Sequence, residues 1–420
     1  MRGDNADTKH VMPALGAGIY EFACAEKKVV DARTKCGRDG ALKSASRVTT
    51  AILLSLLAAC TPPEAPPGLK VSPASYSMLP GWGDDTLDGV LPALLNSCKV
   101  IGKQPDDAPV GPKALAGNAG DWQAPCAAAK EIAASTDAAV VRSFFERWFV
   151  PFQAEDIRGN PGLFTGYYEA ELEASRTPDS LHTYPLYRAP KTPVTATRAE
   201  IEAGALRGQG LEFLWVKDPV DVFFLQIQGS GIVRLTDGSE IRVGYAGNNG
   251  QAFVAIGKLM IAEGIIDKKS ASMQTIRTWL RANPAQARVM MNRNPRFIFF
   301  REVKENGPVG AMGVTLTAGR SLAVDPAFVP LGLPLWLDTT WPVGHGVIKK
   351  GAPLRRLMLA QDVGTAIKGP VRGDFFWGSG EEALAFAGAM KNPGKWFMLL
   401  PVTAAARKTL DVVDIVSSLK

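Results

Sequence analysis

The apolar positions Val140, Val141, Phe144, Phe145, Trp148 and Phe149 recur three and four residues apart, which predicts a helix within Ala127–Val150 with one wide buried face. Val90–Cys98 has the same spacing, after an extended lead-in over Leu69–Leu87. Further on, Phe253, Ile256, Met260 and Gly264 predict a helical face, and Met273–Leu280 a helix that stops at Asn283-Pro284. Other stretches read as β. Val222–Gln228 is a continuous apolar run expected as a buried strand, and Val233–Val243 is a hairpin with Asp237-Gly238 at its tip. Arg296–Arg301, Ser321–Val324, Leu357–Gln361 and Trp396–Leu400 are further strands, and Ser379 with Glu382 forms a capping box for a helix over Glu381–Met390.

Composition places this pattern in a globular protein. A chain of 420 residues with 46% hydrophobic content can bury a large core, and its length suggests two or three domains. The net charge of +6 is scattered and forms no long basic block, which argues against a nucleic-acid partner. The front of the chain is different. Ala51–Ala59 is a short apolar run flanked by Lys43 and Arg47, and it ends in Leu57-Ala58-Ala59-Cys60 before the Pro-rich TPPEAPPG. It is too short to span a bilayer comfortably and reads as a lipoprotein signal, with Cys60 as the lipidated first residue. A buried core helix is the plainer alternative, which the four prolines that follow disfavour. The signal is expected to begin near Leu42, leaving Cys24 and Cys36 outside the mature protein. In an oxidising compartment Cys98 and Cys126 are then either a disulfide or two buried thiols.

Chemistry narrows to carboxylates. Three histidines, no His-Glu-x-x-His and no Cys-x-x-Cys leave no metal motif, and no cofactor is expected. Gly-x-Ser-x-Gly, Walker and Gly-x-Gly-x-x-Gly signatures are absent as well. Leu357–Gln361 delivers Asp362 into an Asp-Val-Gly turn whose own hydrogen bonds favour its ionised form, although most Asp-x-Gly turns are only turns. Asp374 lies between Gly373 and Phe375-Phe376-Trp377, surroundings that raise a carboxyl pKa. Two nearby aspartates pushed in opposite directions suggest acid chemistry, and carbohydrate is the usual substrate of such a site in an exported protein. Phe164–Glu169 reads FTGYYE, where a loop or short strand is expected to expose at least one tyrosine ring, unless both pack in the core.

TGYYE at 165–169, FFLQIQGSG at 223–231, YAGNNG at 245–250, NRNPRFIFF at 292–300, GRSLAVDPAFVPLG at 319–332 and AQDVGTAIKGPVRGDFFWG at 360–378 together resemble the lytic murein transglycosylase A (MltA) family. Ala170 and Thr365 depart from its usual proline and glycine. The resemblance implies a mainly β fold with flanking helices, in which a double-psi β-barrel is interrupted by an inserted second β-rich domain, with the substrate groove between them. The expected bounds are 1–67 for leader, signal and tether, 68–167 and 301–420 for the two parts of the barrel domain, and 168–300 for the insert. The implied reaction cleaves the β-1,4 bond between N-acetylmuramic acid and N-acetylglucosamine without water, leaving 1,6-anhydro ends. Asp374 and Asp362 would be the catalytic pair, Asp374 moving the proton. Asp362, together with Asp325, would orient loops or hold hydroxyls. Tyr167, Gln226, Gln228, Gly229 and Lys368 would contact substrate. The implied partners are peptidoglycan strands, the outer membrane through a lipid anchor on its periplasmic face in a Gram-negative cell, and cell-wall synthesis or divisome proteins. A hydrolase using water and a non-catalytic wall-binding lipoprotein are the alternative classes.

Overall fold

The computed structural model describes residues 66–305, 307–342 and 351–408. Cys60 and the apolar run before it lie outside the described residues. Strand β1 (Leu69–Pro73) precedes helices α1 (Val90–Ile101), α2 (Gln123–Glu131) and α3 (Ala138–Trp148), then strands β2 (Phe149–Asp156), β3 (Gly162–Ser175) and β4 (Tyr184–Tyr187). A short α4 (Arg198–Glu200), β5 (Glu212–Val216), α5 (Pro219–Gln228), β6 (Ser230–Leu235) and β7 (Glu240–Asn248) follow. Next come α6 (Ile256–Ala262), α7 (Met273–Ala282), α8 (Pro284–Asn292) and β8 (Ile298–Val303). The chain ends in β9 (Ser321–Val324), β10 (Pro334–Thr340), β11 (Pro353–Val363), β12 (Arg372–Ser379), α9 (Gly380–Ala389) and β13 (Lys391–Pro401).

Three expectations from the pattern are corrected, and a fourth is extended. Val222–Gln228 is helical, not a strand: Asp218 caps α5 by accepting from Val220 N at 2.8 Å, Pro219 occupies its first position, and Gly229 ends it at φ 83°. Every residue from Val222 to Gln228 is buried, so the run carries no periodic face that distinguishes helix from strand. The expected long helix over Ala127–Val150 is two, because Asp137 starts α3 afresh by accepting from Ala139 N at 2.8 Å. Pro284 does stop α7, but it also opens α8. Ser379 precedes α9 without a side-chain capping bond, so the expected capping box does not form.

The sheet is organised by β3. Its first half pairs parallel with β12 over Leu163–Glu169, and its second half pairs parallel with β6 over Ala170–Ala174. On the first side the order β3-β12-β9-β11-β10-β13 returns to β3, because β13 pairs with β10 through Lys395–Met398 and with β3 through Lys391–Gly394. Six strands therefore close on themselves, and Trp336, Leu357, Leu359, Trp396 and Leu399 on their two faces are all fully buried in the hydrophobic core. On the other side β6, β7 and β8 extend from β3 with β5 and β4 beside it.

Two fasteners secure the N-terminal segment, one to the six-stranded ring and one within itself. Arg320, just before β9, grips Asp85 through bonds of 2.6 and 2.8 Å, and Asp85 also accepts from Leu357 N at 2.8 Å and Leu87 N at 3.1 Å. Both side chains are almost wholly buried. Burial raises the Asp85 pKa, but the hydrogen bonds and charge of Arg320 and the two N–H groups outweigh it and hold the carboxyl below its ordinary range. The second fastener is a disulfide between Cys98 of α1 and Cys126 of α2, Cα atoms 5.7 Å apart.

Because removing one member of a buried pair strands the other, Asp85→Asn should cost about 3–5 kcal/mol at neutral pH in denaturant unfolding. Asp85 has a depressed folded pKa, so its contribution is complete above the unfolded value of about 4 and is lost as pH falls through the lower folded value. The gap between wild type and variant should therefore narrow on acidification below about pH 4; a constant gap would contradict this account. Cys98→Ala/Cys126→Ala should lower stability by roughly 3 kcal/mol, as expected for opening a loop of this length, and peptide mapping without reductant should recover the two cysteines linked.

Candidate active site

Strand β12 runs between β9 and β3, and its register puts Asp374 opposite Ala323 on one side and Thr165 on the other. On the far side of β9, Ala323 is opposite Asp362 of β11, just after a register irregularity between Ala360 and Asp362. Residues opposite one another across a ladder share a face. Asp362, Ala323, Asp374 and Thr165 therefore form one row across four strands. The two carboxylates are two strand spacings apart, about 9–10 Å between backbones. Asp362 belongs to the strand itself and not to the turn after it, as the sequence had suggested.

Asp374 is fully buried. Its Oδ1 accepts from Thr165 Oγ1 at 2.5 Å, and Thr165 Oγ1 in turn accepts from Arg372 Nη2 at 3.0 Å. Oδ2 is buried with no hydrogen-bond partner among the described residues. Burial pushes the carboxyl up to about 7, against the nearby Arg372 charge and the Thr165 bond, with the Asp362 charge adding to the rise. This is the direction that its aromatic flank suggested. Asp362 is also fully buried, and its Oδ1 accepts from Ala311 N at 2.8 Å and Val363 N at 2.9 Å. It thereby fastens the glycine-rich segment 307–319 to the end of β11, where Met312 N also donates to Gln361 O at 3.1 Å. Asp325 does similar work on the loop between β11 and β12: its Oδ2 accepts from Gly369 N at 2.9 Å, with Lys368 Nζ 3.7 Å from Oδ1.

Along β3 the side chains of Thr165, Tyr167 and Glu169 point to this same face, while Tyr168 points to the other. Neither tyrosine is exposed. Tyr167 packs with Phe376, Ala323 and Leu316, and its phenol is pushed well above its usual range by burial and by the Asp362 and Asp374 charges. Tyr168 is covered from the α5 and α7 side, where its hydroxyl accepts from Arg277 at 3.4 Å. Gly166 is required on Tyr168's side of the strand, since a Cβ there would lie 2.6 Å from Trp377 Nε1 and 2.8 Å from Ala387 Cα.

Tyr167 and Leu316 also line a cavity of about 520 Å³ that continues along the β3, β6, β7 and β8 face, with Glu169, Gly229, Ser230, Arg242, Gly244 and Arg301 among its walls. Of the substrate contacts named from sequence, only Tyr167 and Gly229 reach it. Gln226 is buried and accepts from Arg198 at 2.5 Å, and Gln228 is buried and accepts from Tyr168 N at 3.4 Å. Lys368 sits apart beside Asp325. Sequence reasoning missed Thr165, Arg372, Ala323 and the Glu169–Arg242 ion pair. The signal for Thr165 and Glu169 was the FTGYYE stretch, in which the tyrosines drew the attention.

Family models for the MltA specific insert domain and the 3D domain match residues 163–301 and 320–400. The membrane-bound lytic murein transglycosylase A of Vibrio cholerae is 36% identical over 247 residues, which are 58% of this chain and 66% of that relative. The match thus falls just short of two thirds of the relative's length. The crystal structure of a membrane-bound lytic murein transglycosylase from Agrobacterium tumefaciens matches with a TM-score of 0.70 and 35% identity, covering 80% of this chain and 99% of that one. Escherichia coli MltA with bound chitohexaose matches with a TM-score of 0.61 and 28% identity, covering 80% and 95%. The chain belongs to the membrane-bound lytic murein transglycosylase A family.

Proposed function

We propose that this chain is a peptidoglycan lytic transglycosylase that breaks the β-1,4 bond between N-acetylmuramic acid and N-acetylglucosamine without water and leaves 1,6-anhydro ends. The observation that carries the reading is the Asp374 carboxyl, buried, raised to about 7 and with one oxygen that has no hydrogen-bond partner among the described residues. Such a group holds a transferable proton near neutrality and is also a competent base once it has given that proton up. Asp374 Oδ2 protonates the bridging oxygen as the C1–O bond breaks. The muramyl 6-hydroxyl oxygen then bonds to C1, and its proton returns to Asp374. Thr165, backed by Arg372, holds Oδ1 so that Oδ2 keeps one direction. Asp362 and Asp325 support the loops on either side. The closed ring of six strands is the double-psi barrel, and the glycan lies in the groove between it and the insert, with chitohexaose binding by the E. coli relative as support. Because Asp374 is covered in this structure, glycan entry separates Tyr167 from Leu316.

The chain is further read as a lipoprotein held by Cys60 on the periplasmic face of the outer membrane, with cell-wall synthesis or divisome proteins as neighbours. Cys60→Ser should abolish labelling by radioactive palmitate and move the protein to the soluble fraction; a labelled variant would refute the anchor.

Asp374→Asn should lower cleavage of purified sacculi by ~10²- to 10⁴-fold, the range for loss of a general acid, and anhydro products released near the wild-type rate would exclude Asp374. Reducing ends from the wild type would instead indicate hydrolysis. The same substitution should stabilise the fold. A carboxyl whose folded pKa is raised weakens folding progressively as pH climbs from about 4 to 7, so the variant should melt higher than wild type at pH 8 and close to it at pH 4. Wild-type activity should fall as pH rises above about 7, where the proton to be donated is lost.

A further inference from the structure

Two strand steps beyond Thr165 along β3, the same face carries a second buried carboxylate. Glu169 Oε2 is bonded by Arg242 of β7, whereas Glu169 Oε1 is buried without a hydrogen-bond partner among the described residues. The side chain is only 3% exposed, yet Glu169 borders the 520 Å³ cavity. A buried carboxylate oxygen with nothing to accept from bears the full cost of its lost hydration. Fold maintenance does not require it, since a neutral or apolar side chain would fill the position.

The register of the neighbouring strands shows what the oxygen faces. Ala170 pairs with Gly231, so Glu169 falls in line with Ser230; Ser230 pairs with Gly244, and Gly244 with Arg301. The row is therefore a carboxylate, a hydroxyl, a bare backbone and a guanidinium. Gly244 leaves a shallow floor in its middle. From the Thr165–Asp374 pair to Glu169 is four residues of strand, about 13 Å.

We propose that Glu169, held by Arg242, is a specificity-determining substrate contact: its Oε1 accepts a hydrogen bond from a neutral donor, a hydroxyl or acetamido N–H, on a sugar of the glycan remote from the bond that is cleaved. This rests on the glycan reading above. The chemistry fits a sugar rather than an anion, because a carboxylate repels an anion and Arg242 already neutralises the pair. The contact is made equally before and during bond breaking, so it lowers KM without changing kcat.

Glu169→Gln provides the test. Its amide oxygen keeps the bond to Arg242, which turns its NH₂ donor toward the ligand's donor. Binding of N-acetylhexosamine oligomers of increasing length would be followed by calorimetry in an Asp374→Asn background, with and without Glu169→Gln. A site built around a buried acceptor discriminates strongly against a mismatched group, so the expected result is about tenfold weaker binding of long oligomers and unchanged binding of the shortest that bind. Ser230→Leu, which fills the cavity beside Glu169 and leaves the ion pair in place, should give the same length-selective loss and covers the case in which Glu169→Gln does not fold. Equal binding in all variants, or an equal loss at every length, overturns the proposal. The wild-type sacculus digest is read separately: absence of anhydro ends there would overturn the transglycosylase reading, whereas the binding result alone decides the role of Glu169.

Discussion

The register of β3 is the constraint from which the rest of this structure follows. One unbroken strand pairs with β12 at its start and with β6 at its end, so a single backbone sets both the row of carboxylates and the walls of the cavity. Strand side chains alternate with period two, and a slip of one residue would send Thr165, Tyr167 and Glu169 to the opposite face together. Gly166 guards against such a slip, because only a glycine fits beneath Trp377 and α9. The geometry of the carboxylate row, proposed above as catalytic, and that of the cavity are thus set by the same pairing.

Asp85 and Asp374, both buried, illustrate how the same side chain is driven in opposite directions. Asp85 receives two bonds from a guanidinium and two from backbone N–H groups, and it stays ionised despite its burial. Asp374 receives one bond from the Thr165 hydroxyl, to which Arg372 also donates, and the Arg372 charge lowers its pKa by less than burial raises it. With fewer donors, burial dominates and the proton stays on.

The acidic residues were legible in the sequence because aspartates bounded by glycine and aromatic residues carry a local signal, and the three that stood out do lie at or beside the row. The hairpin at Asp237-Gly238 and the short strands around the aspartates were legible for the same reason: turn chemistry and alternation are local. What was not legible depended on distant partners. Val222–Gln228 is buried on every side, which removes the periodicity that separates helix from strand, and its neighbours Asp218 and Pro219 were the signals to weigh. Gln226 and Gln228, offered as substrate contacts by the family resemblance alone, are buried and satisfy Arg198 and the β3 backbone. The importance of Thr165 could not be read from TGYYE, since it arises only when β12 is laid beside β3.

Ala323 shows why the spacing within the row matters. Were the two aspartates on adjacent strands, their Cβ atoms would approach to about 5 Å and the pair would share a proton, with apparent pKa values belonging to neither residue. The interposed alanine sets them one strand further apart, so the Asp362 charge is only the smallest of the influences on Asp374, and burial is the largest. Asp362 can then remain committed to the Ala311 and Val363 amides without dictating the state of the acid. The small side chain also leaves the face between the carboxylates low, so that Tyr167, Phe376 and Leu316 can close over it. One alanine in β9 thus keeps the influence of Asp362 on Asp374 small and lets the same face be closed over, two conditions that suit the proposed role of a single carboxyl that gives up a proton and takes one back.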